Sequence, residues 1–214
     1  MQPHAPSALR VSSPAPRQGG WWLLACLLMV LVFAAPLQVR AQQDSYTRIT
    51  GVKLEPVKNG AQAGWNLAAE LDIHLGQRLK DALDRGLPLK FSLDFKLSKD
   101  RWYWADEEAA NASYLYTLSY NALTRTYQLA GPAGVLNTPK FEEAMENMAR
   151  IRDWPVLRKD QVRLNERYQA QVRFRLVLTE LPKPFQISAL VNSEWDLSTD
   201  WLTFDFTPRK ENFK

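Results

Sequence analysis

The chain is nearly without cysteine and histidine. Its one cysteine, Cys26, and one of its two histidines, His4, fall within the first 41 residues. Beyond Ala41 there is no thiol, which excludes a disulfide and a cysteine-ligated metal there. The remaining histidine, His74, cannot by itself build a zinc site of the usual ligand types. A disulfide-free domain of about 170 residues must be held by its core, and that length suffices. Acidic residues are absent from the first 41 positions, which carry Arg10, Arg17 and Arg40. Of 27 basic residues, 24 therefore remain against 23 acidic ones, so the formal charge of +4 falls to +1 downstream. A domain so close to neutral offers no global field for nucleic acid. There is no Gly-x-Ser-x-Gly and no glycine-rich phosphate loop. Neither a catalytic set nor a cofactor motif is readable, so neither an enzyme nor a bound cofactor is expected.

Long hydrophobic runs are also missing. The longest, residues 21–33, covers about 13 positions, short of the ~20 that a spanning helix needs. Pro36 and Gln38 interrupt any extension. Residues 1–20 are rich in Pro, Ser and Gly and carry only positive charge, and Val39-Arg40-Ala41 places small residues at −3 and −1. This is the pattern of a secretory signal, with cleavage predicted after Ala41 and no stable membrane span afterwards. An uncleaved anchor is the alternative. Leu23-Leu24-Ala25-Cys26 imitates a lipoprotein box, but the apolar run follows that cysteine instead of preceding it.

What the chain does have is alternation. Leu87, Leu89, Phe91, Leu93, Phe95 and Leu97 share one parity; Pro88, Lys90, Ser92, Asp94 and Lys96 share the other. Side chains on a strand point to opposite faces with a period of two, so this is a long strand with one buried and one wet face. Residues 49–57 and 65–75 read as strands joined by turn residues at Lys58-Asn59-Gly60, a hairpin. Residues 77–85 change to a helical period, and Gly86 stands where a helix stops. Further strands are predicted at 114–120, 125–130, 168–178 and 201–206. Thr138-Pro139 opens a helix with the stripe Phe141, Ala144, Met145 and Met148, which Trp154-Pro155 ends. Leu181-Pro-Lys-Pro184 breaks the strand before it, and residues 185–191 read as strand or extended coil. The predicted organisation is a signal peptide (1–41), a flexible lead-in (42–47), a single mainly-β domain (48–207) and a frayed tail (208–214). The expected fold is an antiparallel β-sandwich or strongly curved sheet of about seven strands with two short helices.

Few residues invite a functional reading. Trp102-Tyr103-Trp104 offers rigid aromatics of the kind that dominate interfaces, and these three are the predicted binding residues. Asp106, Glu107 and Glu108 follow them, as a carbohydrate cleft needs, but hydrolytic carboxylates face each other across a substrate and these are sequence neighbours. His74 falls on a polar strand face. Arg173 and Arg175 share an outward face, and Lys90 and Lys96 another, but Asp94 interrupts the second row and such rows are ordinary for a solvated sheet. Asn111-Ala112-Ser113 matches a glycosylation sequon. Apolar and aromatic parity at Phe91, Phe95, Tyr114, Tyr116 and Phe174 raises an alternative, a small-molecule or lipid-binding β domain.

Five segments together carry a likeness: Arg85-Gly-Leu-Pro-Leu, Arg101-Trp-Tyr-Trp, Leu118-Ser-Tyr-Asn-Ala-Leu-Thr-Arg125, Leu181-Pro-Lys-Pro-Phe185 with Ala189-Leu190, and Trp195-Asp-Leu-Ser-Thr-Asp-Trp201. Over about residues 46–206 the chain resembles the bacterial domain-of-unknown-function family numbered 4390. The resemblance implies export in a Gram-negative bacterium, hence a periplasmic location, or an inner-membrane one if the anchor is retained. It implies no activity, cofactor or catalytic residue. It points to a membrane or periplasmic protein partner, the extracytoplasmic part of a nitrogen-regulation-type sensor kinase, beside whose gene members of the family are encoded. The expected function is that of a non-catalytic accessory domain that binds a protein.

Overall fold

The computed structural model describes residues 45–58, 63–99, 107–191 and 193–209, all within the unit Gln42–Lys214. They form nine strands and three α-helices. In chain order these are β1 (Tyr46–Val57), β2 (Gly64–His74), α1 (Gln77–Asp84), β3 (Leu89–Lys99), β4 (Glu107–Asn121), β5 (Thr126–Gly131), β6 (Gly134–Thr138), α2 (Phe141–Ala149), β7 (Arg150–Arg158), β8 (Tyr168–Leu176), α3 (Lys183–Val191) and β9 (Leu202–Phe206). All strand pairs are antiparallel. They make a three-stranded sheet, β1-β2-β7, and a six-stranded sheet, β6-β5-β4-β3-β8-β9, with no closure into a barrel.

The mainly-β expectation holds, and β3 is central as its alternation requires. Leu89, Phe91, Leu93, Phe95 and Leu97 are fully buried. They meet Tyr114, Tyr116 and Leu118 of β4 on one side and Val172, Phe174 and Leu176 of β8 on the other. Phe91 and Phe174 stack with centroids 5.6 Å apart. The smaller sheet supplies the opposite layer through Trp65, Leu67 and Ala69 of β2 and Ile151 and Trp154 of β7. Two aromatic contacts join the layers: Tyr114 to Trp154 at 5.3 Å and Trp65 to Phe206 at 5.4 Å. Facing sheets with one shared core define a sandwich.

The helices cover ends of this sandwich. In α1, Leu79, Ala82 and Leu83 turn inward. Gly86 follows at φ +87°, where a side chain would be strained. At the other end of α1, the Ser45 hydroxyl accepts from Gly76 N at 3.0 Å and donates to the Glu194 carbonyl at 2.7 Å. In α2, Ala144, Met145 and Met148 are buried as the stripe requires. Thr138, expected as the cap, instead ends β6 two residues before the actual N-cap, Lys140, where its Oγ1 accepts from Lys140 N at 3.1 Å and donates to Glu143 at 2.5 Å.

Four readings are corrected. There are nine strands, not about seven, and three helices, not two. Past the predicted strand at 125–130, residues 131–134 form the tight turn of a β5–β6 hairpin whose second strand, Gly134–Thr138, is not among the predicted ones. Trp154-Pro155, taken as a helix stop, lies within β7, an edge strand in which Pro155 sits beside a bulge and its missing N–H is tolerated. Residues 185–191 belong to α3. Proline suits a first helical turn, where the lost N–H has no partner anyway, and Phe185 N and Gln186 N bond back to the Pro182 carbonyl at 2.9 and 3.2 Å.

Candidate binding surface

The outer face of the six-stranded sheet holds the most organised polar cluster among the described residues. Its frame is the register. On β3, Ser92 stands opposite Leu115 of β4 and Arg175 of β8; Asp94 stands opposite Ser113 and Arg173; Lys96 stands opposite Asn111 and Gln171. Alternation therefore brings to one face residues that lie up to about 80 positions apart.

Asp94 is the centre. Its side chain is 7% exposed, although parity alone assigns it to a wet face, and Ser92 is buried beside it. This corrects the expectation that both are solvated. The cover is local: long arginine side chains from the neighbouring strand lie over them. Asp94 Oδ1 accepts from Ser92 Oγ at 2.5 Å and from Ser113 Oγ at 3.0 Å. Asp94 Oδ2 accepts from Arg175 Nε at 2.8 Å and Arg173 Nη2 at 3.4 Å. Burial works against the charge, but the hydrogen bonds from Arg175, Ser92 and Ser113 and the Arg175 charge outweigh it, holding the carboxyl below its ordinary value.

The two guanidiniums are thus anchored yet reachable, with side chains 32% and 38% exposed. Trp201, just before β9, lies 4.5 Å from Arg173 Cζ and 5.1 Å from Lys96 Nζ, measured to its ring centroid. An aromatic ring contacted by two cations fixes their direction more than it neutralises them. Lys90, at the near end of the row, is paired with Glu180 at 2.8 Å. Leu115, 57% exposed, is the apolar element of the face. Arg173, Arg175 and Lys96, read from the sequence as an ordinary solvated row, are one cluster with Asp94 as its organiser.

The remaining residues separate. Trp102, Tyr103, Trp104 and Asp106 lie outside the described residues, as do residues 1–41 with the predicted cleavage position; Lys99 and Glu107, register partners of β3 and β4, flank the aromatic segment. Glu108 is exposed on β4. The His74 ring stacks on Tyr46 at 5.3 Å, a strand-end contact. Phe91, Phe95 and Phe174 fill the core. Tyr114 and Tyr116 do line a cleft of about 840 Å³ with Leu129, Leu136 and Trp154, and Arg150 and Arg152 stand at its rim. Burial, with the neighbouring Tyr114 phenol, pushes the Tyr116 phenol up. A second cleft, of about 640 Å³, gathers Arg85, Leu87 and Pro88 with Pro182, Phe185 and Trp195. Three of the segments that carry the family likeness therefore meet at one end of the sandwich. Among the described residues, no helix is long and apolar enough to cross a membrane, and no group of three or more His, Cys, Asp or Glu could hold a metal.

These features define an antiparallel β-sandwich domain whose larger sheet presents an ordered charged and aromatic outer face. The model of the domain of unknown function DUF4390 matches residues 49–205, and the chain belongs to that family. No curated protein and no solved structure matches it.

Proposed function

We propose that this is an exported, non-catalytic accessory domain that binds a protein partner in the periplasm, through the outer face of the six-stranded sheet. The observation that carries the reading is the cluster around Asp94. A buried carboxylate holding two partly exposed arginine side chains in fixed positions, beside an exposed leucine and a cation-stacked tryptophan, combines the arginine and aromatic anchors typical of interface hot spots. Preorganised side chains lose less entropy on association than free ones. The export part rests on the N-terminal sequence, and a membrane sensor kinase remains the proposed partner on the family likeness. Trp102, Tyr103 and Trp104 belong to the proposal as further anchors.

The test is affinity capture of the C-terminally tagged full chain from gently solubilised native membranes, in parallel with Leu115→Arg and with the Trp102→Ala, Trp104→Ala double variant. The reading expects a stoichiometric protein with the parent and its loss with Leu115→Arg, while the melting transition is kept. Equal capture by parent and Leu115→Arg refutes the face; equal capture by the double variant refutes the aromatic anchors.

A second reading, a small-ligand domain, is favoured by the Tyr114–Tyr116–Trp154 cleft with its arginine rim. Native mass spectrometry of protein purified without denaturant then shows a carried mass; a clean apo mass argues against it.

A further inference from the structure

We infer that the partner segment bound by the outer sheet face is acidic, its carboxylates engaging Arg173, Arg175 and Lys96 and an apolar side chain resting on Leu115. This rests on the protein-binding reading and adds the chemistry of the partner. Three cations face outward around one internal carboxylate, Asp94, so the cluster keeps an excess of positive charge. Asp94 bonds Arg175 through Nε and Arg173 through one Nη. Each guanidinium fork is therefore only partly used; Arg173 Nε is itself buried, and the planar Nη edge is the part that suits a carboxylate.

The surroundings narrow the ligand. Lys90 is paired with Glu180, Asp200 lies on the segment that leads from Ser198, bridged to Arg175, to Trp201, and Asp196 stands two residues before Ser198. The positive patch is short and framed by acids, so a long polyanion would meet repulsion at its borders while one or two carboxylates fit inside. A free small oxyanion would have no use for Leu115. That residue stands opposite Ser92, one alternation step along β4 from Ser113, and is 57% exposed. Leu115 on β4 and Arg175 on β8 face each other across Ser92 of β3, two strand spacings or about 10 Å apart, a span that about three residues of an extended peptide cover.

The experiment is a fluorescence-anisotropy titration of the full chain, in mild detergent, with a short dye-labelled peptide rich in glutamate and leucine. The same peptide with lysine for glutamate is the control. The acidic peptide binds and the basic one does not, and binding weakens at least about tenfold between about 0.05 and 0.5 M sodium chloride. Arg173→Gln and Lys96→Gln each weaken it at least about fivefold. Both leave Asp94 its bonds from Arg175, Ser92 and Ser113, and an unchanged melting transition verifies the fold. Equal binding of the two peptides, no binding of either, or unchanged affinity in both variants overturns the inference. If that happens while Leu115→Arg still abolishes capture from membranes, the acidic chemistry is wrong and the protein-binding reading stands. If capture is also unaffected, both fall.

Discussion

Replacing Asp94 by alanine removes the acceptor that organises the outer face. Four donors converge on that carboxylate: two serine hydroxyls at 2.5 and 3.0 Å and two guanidiniums at 2.8 and 3.4 Å. Removing one member of a buried ion pair costs about 3–5 kcal/mol when the partner charge stays buried. Here both arginines are about one-third exposed and regain water once released. Ser113 is exposed as well, so Ser92 is the donor left most dry. A loss of one dry hydrogen bond and of partly solvated charged ones comes to about 2–3 kcal/mol. For a domain of this size that lowers the melting temperature by roughly 4–12 °C. Thermal unfolding followed by circular dichroism measures it, with urea unfolding supplying the free energy. A loss below about 0.5 kcal/mol would place the change among ordinary surface substitutions and refute the view of Asp94 as a buried organiser.

Two further outcomes follow from the same geometry. The folded Asp94 carboxyl titrates below its unfolded value near 4, so its stabilisation is complete above about pH 4 and is lost as pH falls through the folded value. The gap in melting temperature between the parent and Asp94→Asn therefore narrows below about pH 4; a gap constant down to about pH 2 contradicts the assignment. Asp160 and Glu166 are also held low, by Arg158 and Lys99 respectively, but they titrate alike in both proteins and leave the difference unaffected. At Gly64 a Cβ would fall far inside van der Waals contact distance of the Leu157 carbonyl oxygen and 2.9 Å from Arg158 Cα, where β2 meets β7. Gly64→Ala forces those strands apart and destabilises by about 1–3 kcal/mol. An unchanged urea midpoint refutes that contact.

How far the sequence reveals this molecule varies by element. The strict alternation of β3 announces its strand, its buried face and its central place, because a sandwich core sits where the apolar parity is longest. Gly86 and the stripe of α2 are equally legible, since each depends on local backbone chemistry. Strand β7 is not legible. It is bulged and carries Pro155, and what makes it a strand is pairing with β2, some 85 positions away in sequence. Proline misleads again at α3, where it starts a helix instead of breaking a strand. The candidate face depends on register. Parity puts Asp94, Arg173 and Arg175 on outward faces, but only the pairing of β3 with β8 sets Asp94 opposite Arg173 and turns a solvated row into a buried carboxylate with two charged arms. A single acid at the middle of a strand whose outward row is otherwise Lys and Ser, with two arginines spaced by two on another strand, was the available signal. Its meaning needed the sheet order.

The central claim is that the outer face of the six-stranded sheet is covered by another protein in the cell. Site-specific photo-crosslinking tests it most directly, with a benzophenone amino acid placed at Leu115 on that face and, as a control, at Ile187 on α3, which is 67% exposed. The account predicts that irradiation of intact cells gives a discrete adduct of one defined added mass from Leu115, reduced in the Arg173→Gln background, and none of that mass from Ile187. No adduct at Leu115, or the same adducts from both positions, would contradict it.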